Sequence, residues 1–165
     1  MHTALGTLKL AIAIRRYQPG EEPALFNVYW SAIHLVACHD YAPEQIQAWA
    51  PAKLDPALWT SRMRGINPFV AEVNGQVVGY ADLQFDGYID HFFVSGHHPR
   101  RGIGTALMAH LLQEASTASL QALTSDVSRT AQPFFEKFGF TVVEQRQPEL
   151  RGVVIPNALM RLALA

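Results

Sequence analysis

The stretch that most constrains this chain is residues 88–112, YIDHFFVSGHHPRRGIGTALMAHLL. It opens in alternation, with Tyr88, Asp90, Phe92 and Val94 on one face and Ile89, His91 and Phe93 on the other, as in a strand buried on both sides. A short polar segment with Pro99, Arg100 and Arg101 follows. Beyond Gly102 and Gly104, the residues Ile103, Ala106, Leu107 and Leu111 recur at helical spacing, with Thr105 and His110 between them. A helix N-terminus leaves backbone N–H groups without intrahelical partners and carries partial positive charge. Glycines there let phosphate groups come close to the backbone, and two arginines add full charge, so the stretch reads as a pyrophosphate cradle. The same spacing also fits a plain strand-to-helix turn with solvated arginines. Two other phosphate loops do not fit: Leu107 stands where a dinucleotide fingerprint needs a small residue, and Gly104-Thr105-Ala106 lacks the Lys-Ser/Thr pair of a P-loop.

The chain has 165 residues, 49% of them apolar, enough for one domain spanning 1–165 around a substantial core. A net charge of −1 argues against a nucleic-acid-binding surface and leaves positive charge local. The single Cys38 excludes an internal disulfide and a four-cysteine zinc site, which suits a cytoplasmic protein. His34 and Cys38 share a helical face, but without further ligands the expectation is no metal. No secretory leader or membrane-length apolar run is present, so no membrane partner is expected.

In order along the chain, residues 8–17 read as a first strand and Pro19-Gly20 as its break. A helix from Glu21 buries Leu25, Val28, Tyr29, Ala32, Ile33 and Val36, while Phe26, Trp30 and Leu35 on its other face need cover. Shorter helices follow at 43–49 and 56–64. Asn74-Gly75 joins strands 69–73 and 76–85 as a hairpin, and Asp86-Gly87 turns the chain into the strand 88–94. After the helix 102–116 come a strand at 120–126, a helix at 128–138 closed by Gly139, a strand at 140–144 and a last strand at 153–164.

Pro99-Arg100-Arg101-Gly102-Ile103-Gly104 resembles the acyl-CoA-binding motif Q/R-x-x-G-x-G/A of the GCN5-related N-acetyltransferase (GNAT) family. It departs at Pro99, which offers neither a long polar side chain nor a backbone N–H. Residues 131–140, AQPFFEKFGF, resemble the family's A-x-x-x-Y-E-K-x-G-F segment, and the element order matches over nearly the whole chain. Residues 41–45 (YAPEQ), 48–51 (AWAP) and Arg151-Gly152-Val153 resemble a bacterial subgroup of uncharacterised or small-molecule acetyltransferases. The resemblance implies an α/β GNAT fold, a mixed central β-sheet of about six to seven strands flanked by helices.

It also implies roles. Acetyl-CoA would be held at its pyrophosphate by Arg100, Arg101, Gly102, Ile103, Gly104 and Thr105, and along its pantetheine arm by the backbone of Phe92, Phe93 and Val94. Acyl transfer to an amine needs a base, for which Asp90 is the candidate, with Tyr88 on the same face as a relay or pocket residue. Asp90 could equally be a carboxylate paired with an arginine. His91 should face the opposite side of a regular strand, as core. Phe135 falls where many members carry a tyrosine that protonates the leaving thiolate, so it is expected beside the sulfur and without a proton to give; Tyr41, Tyr80, Tyr88 or water remain as donors. Ser128 replaces a common asparagine. Tyr41 and Trp49 are candidate acceptor contacts, with Trp59 divided between pocket and core packing. The expected activity is N-acetylation of a small-molecule amine by a monomer or homodimer. The alternatives are an acyl-CoA-binding sensor with little turnover, or a protein N-terminal or lysine acetyltransferase.

Overall fold

The computed structural model describes residues 11–165. The expected first strand opens at Leu8, outside those residues; its described part is β1 (Ala13–Arg16). Pro23 lies in the first turn of α1 (Glu22–Ser31), where its missing N–H would have been unpaired anyway. The helix runs on through a π-helical turn, Ala32–Val36, and a tight 3-10 turn, Ala37–His39. Prolines likewise open α2 (Pro43–Trp49) and α3 (Pro56–Ile66), and the Asp55 carboxylate caps α3 by accepting the Ala57 N–H at 2.9 Å. The hairpin β2 (Phe69–Val73) and β3 (Gln76–Ala81) turns at Asn74 and Gly75, both with positive φ as expected.

The strand expected at 88–94 is two strands. β4 (Tyr88–Ile89) pairs parallel with β6 (Ala122–Ser128), whereas β5 (Phe92–Val94) pairs antiparallel with β3. The sheet is accordingly two four-stranded sheets, β1-β2-β3-β5 and β4-β6-β10-β7, that part at residues 90–91. Here α4 is Ile103–Thr117, α5 Gln132–Lys137, β7 Thr141–Arg146 and β10 Asn157–Ala163. The expected last strand from Val153 is also divided. Arg151 and Gly152 adopt φ of 50° and 79°, folding β8 (Glu149–Leu150) and β9 (Val153–Val154) into a separate hairpin before β10 enters the sheet.

Two apolar layers hold this frame. On one face α4 lays Ile103, Leu107, Met108, Leu111 and Ala115 against Phe69, Ala71, Val78, Ile89, Leu123, Val127 and Met160. On the other, Leu25, Val28 and Ile33 of the first helix join Trp59 and Met63 of α3, Val70, Tyr80 and Ile155. Each fully buried Leu, Ile or Met side chain contributes about 1.5–3 kcal/mol. Sheet and helices are thereby clamped from both sides, and the gap at residues 90–91 opens between rigid elements.

Candidate active site

Both faces of the break are set by one buried carboxylate. Asp82, just past β3, has no exposed surface, and accepts the backbone N–H of His91 at 2.5 Å, the N–H of Asp90 at 3.2 Å and the Gln84 side-chain amide at 2.6 Å. A buried carboxylate is tolerated only when so bonded; even so, burial outweighs these bonds and pushes its pKa up to about 6. By fixing two successive N–H groups, Asp82 interrupts the alternation. Ile89 and Phe92 both face the α4 side, and Asp90, His91 and Phe93 all line a cavity on the other side. The expectation from a regular strand, with Asp90 and Val94 on one face and His91 on the other, is corrected: a two-residue irregularity turns Asp90 and His91 the same way.

The cavity measures about 380 Å³, the scale of a small-molecule site. Tyr88, Asp90, Tyr41, Trp49 and Trp59 all line it, so the structure brings together side chains from β4, the break, the turn before α2, α2 and α3, which the sequence leaves apart. The Asp90 carboxylate is 30% exposed and lies 3.3 Å from the Arg62 guanidinium, which places it both in the cavity and beside an arginine. Tyr88 donates to Asp126 at 2.7 Å, and Asp126 in turn accepts from Arg146 at 2.9 Å. Burial, reinforced by that carboxylate, raises the Tyr88 pKa and keeps the phenol protonated. Tyr41 donates its hydroxyl to the Pro156 carbonyl and accepts the Arg129 N–H at 2.9 Å, so its ring, rather than its oxygen, is free to meet a ligand. Trp59 is both core and cavity wall: its indole N–H donates to the Glu22 carbonyl at 2.8 Å, and its ring packs on Tyr29.

His91 is no base at neutral pH. Arg62 Nε donates to its Nε2 at 3.1 Å, which assigns the hydrogen to Nδ1, and Nδ1–H then faces the Tyr80 hydroxyl at 2.9 Å. Burial first, and the Arg62 charge second, push its pKa down to about 3.

Across the break, β5 keeps one edge unpaired among the described residues. Asp82 N–H bonds the His91 carbonyl and Ser95 N–H bonds Val78, so the antiparallel ladder takes residues 91, 93 and 95. The N–H and C=O groups of Phe92 and Val94 therefore point the other way. Beyond β5, Gly96 lies so close to α1 that a Cβ would stand 2.4 Å from the Ser31 carbonyl oxygen. Arg100 has φ 56° and Gly102, which caps α4, has φ 76° with open space around its Cα. The first ladder bond of α4 is Ala106 N–H to Gly102 O, leaving the N–H groups of Ile103, Gly104 and Thr105 outside it. Arg100 and Arg101 make no ion pair among the described residues. The side chain of Ile103 is core, so only its backbone serves the turn. At Gly104 the missing side chain is filled from within: a Cβ would lie 3.2 Å from the Phe134 ring and 3.6 Å from Val94.

Phe135, expected beside a sulfur, is 2% exposed and packed edge-on against Phe92 and Phe140, with ring centroids 5.6 and 5.0 Å away. In this structure that face of α5 is closed core.

Sequence reasoning missed Asp82, Arg62, Asp126, Arg146 and the 149–154 hairpin. Asp82 had a signal, a lone acid ending the apolar run 77–81; Arg151-Gly152 is a turn signal that the sequence reading used only as part of the subgroup resemblance.

Residues 37–160 match the acetyltransferase (GNAT) domain family. The chain belongs to the GNAT acetyltransferase family. It is 38% identical over 150 residues to an uncharacterized N-acetyltransferase, YafP, of Escherichia coli (strain K12), covering 91% of this chain and 95% of that one. A GCN5-related N-acetyltransferase from Rhodopseudomonas palustris superposes with a TM-score of 0.89 at 29% identity, over 96% of this chain and 100% of the other. The PaiA N-acetyltransferase of Thermoplasma acidophilum, solved in complex with coenzyme A, shares the fold at a TM-score of 0.71 and 15% identity, over 94% of this GNAT chain and all of its own. The mixed α/β architecture expected from the sequence is the GNAT fold. Among the described residues no cluster of three or more metal-ligating side chains occurs, and no helix is long and apolar enough to cross a membrane.

Proposed function

We propose that this protein transfers an acetyl group from acetyl-CoA to the amine of a small molecule bound in the 380 Å³ cavity. The observation that carries the reading is the sheet break: the unpaired edge of β5 and the cavity meet at Asp90 and His91. Such an edge offers alternate N–H and C=O groups to an extended arm, and the turn from Arg100 to Thr105 offers N–H groups, open space at Gly102 and two arginines to a pyrophosphate. Bound there, acetyl-CoA supplies an acyl carbonyl activated as a thioester.

The chain's own residues supply the rest. An amine must be neutral to attack, and the Asp90 carboxylate, at the cavity's end nearest β5, takes its proton directly or through water. Arg62, 3.3 Å from Asp90, holds that carboxylate in place. The N–H groups of Phe92 and Val94 point from the free edge toward charge developing on a carbonyl oxygen. His91, neutral and bonded on both nitrogens, is a wall of the site. A proton for the leaving thiolate comes from water or from Tyr88, whose phenol stays protonated.

A second reading, acyl-CoA binding with little turnover, draws on Phe135, which has no hydroxyl and lies in core, and on Tyr88, whose hydroxyl is engaged by Asp126. Steady-state release of coenzyme A thiol across a panel of small amines separates the two. Amine-dependent release supports the transferase; tight acetyl-CoA binding without release under any amine overturns it.

A further inference from the structure

The cavity's charges do not balance one another equally. Asp126 is matched by Arg146 at 2.9 Å and Asp90 by Arg62 at 3.3 Å. Arg151, at the turn of the β8–β9 hairpin, forms no ion pair among the described residues. One of its N–H groups donates to the Ala48 carbonyl at the end of α2, 2.7 Å away, which anchors the guanidinium over the cavity and leaves most of its donors unused. Its charge is felt at Tyr29, which also lines the cavity. Burial drives that phenol up to about 12, and the two charges that act against burial are those of Arg151 and Arg62. Glu149, on the same hairpin, also lines the cavity and makes no ion pair among the described residues; of the two arginines in the lining, Arg62 is paired with Asp90 and Arg151 is the one left for an outside anion. Rings also line the cavity: Tyr29 lies 4.9 Å from Trp59 and 5.0 Å from Phe93, centroid to centroid.

We propose that the acceptor is an amine with an apolar body that also carries a carboxylate, and that Arg151 binds this carboxylate while the amine lies at Asp90. The inference rests on the cavity being the acceptor site, and it makes Arg151 the specificity-determining residue. A guanidinium with unused donors takes a carboxylate bidentately, and although Arg151 is itself exposed, such a two-bond pair at the mouth of a ring-lined cavity discriminates against a ligand lacking the anion.

The test uses the whole chain with matched probes: phenylalanine, phenethylamine, which lacks the carboxylate, and 3-phenylpropionate, which lacks the amine. Binding is read from the fluorescence of Trp49 and Trp59, which line the cavity, and turnover from released thiol. The wild type should bind the two carboxylates about tenfold or more tighter than phenethylamine. Arg151→Gln should erase that preference, raising KM for phenylalanine with kcat little changed, and Arg151→Lys should restore part of it. Glu149→Gln should leave the preference intact and so controls for loosening of the hairpin. Equal or reversed affinities in the wild type, no binding of either carboxylate, or an Arg151→Gln defect that falls equally on phenethylamine would each overturn the proposal. Arg151-dependent carboxylate binding with no thiol released would support it while overturning acetyl transfer. Turnover of phenethylamine matching that of phenylalanine would do the reverse.

Discussion

The two sides of the sheet break are built in different ways. The turn from Ser95 to Thr105 is one contiguous stretch that offers mainly backbone: beside the free edge of β5 it has a left-handed glycine and helix N–H groups, with Arg100 and Arg101 exposed and without an ion pair among the described residues. The cavity side is assembled from side chains of α1, α2, α3, β4, β6 and the β8–β9 hairpin, and the polar groups of Tyr29, Tyr41, His91 and Tyr88 there are already bonded to other parts of the protein, while Arg151 keeps donors free. Backbone sites tolerate side-chain replacement, whereas a network of buried side chains does not. The two sides should therefore answer mutation differently.

The largest expected effect is at Asp90. Asp90→Asn should lower kcat by about 10²–10⁴-fold, the usual worth of a general base, while acetyl-CoA affinity stays near wild type. The acidic limb of the pH–rate profile should move as well. A profile with the same limb and a small change in kcat would transfer the proton to water alone and blur the contrast.

Asp82 comes next, and its effect is pH-dependent. Its folded pKa of about 6 stands above the 3.8 of an exposed aspartate, so between those values the folded state binds more protons than the unfolded one. Stability therefore falls as pH rises from about 4 to 6, by something on the order of 3 kcal/mol for a shift of that size. Urea melts of wild type and Asp82→Asn at both pH values should show the wild type losing ground to the variant on the alkaline side. Parallel pH dependences would mean that Asp82 is ionised without penalty.

Phe135→Tyr should cost about 1–3 kcal/mol of stability, the penalty of burying a hydroxyl without a partner, with no gain in turnover and unchanged affinity for acetyl-CoA. Raised turnover would instead bring this position out of the core and up to the departing sulfur. The smallest effect should be on the turn itself. Arg100→Ala with Arg101→Ala should weaken acetyl-CoA binding by about tenfold at low salt and less at high salt, because exposed charges are screened. A loss of several hundredfold would make side chains, rather than backbone, the main phosphate ligands.

The same division explains what could be read from the residues in line. The Asn74-Gly75 hairpin, the proline-opened helices and the glycine-opened α4 follow from spacing within a few residues, and they appear where expected. The break at residues 90–91 does not, because YIDHFFV alternates without a flaw. Its cause lies eight residues upstream, in Asp82, and in two different partner strands. His91 was placed on the wrong face for that reason. No local pattern marks Arg62 or Arg151 as a site residue; only the convergence of α3 and the hairpin brings them to one cavity. Phe135 matched a motif position, yet its burial depends on Phe92 and Phe140, which no local pattern ties to it.

The unpaired edge of β5 has one more consequence. An exposed strand edge is a template on which a foreign chain can add its own strand, the first step of edge-to-edge aggregation. Here the edge is three residues long, Phe92–Val94, bounded by the kink at Asp90 on one side and by the turn that begins at Ser95 on the other. Strands in globular proteins are most often about five or six residues long, so this edge offers a foreign strand fewer ladder bonds than usual. The fold can thus keep main-chain donors and acceptors in waiting for a short, extended ligand while giving another polypeptide too little to hold.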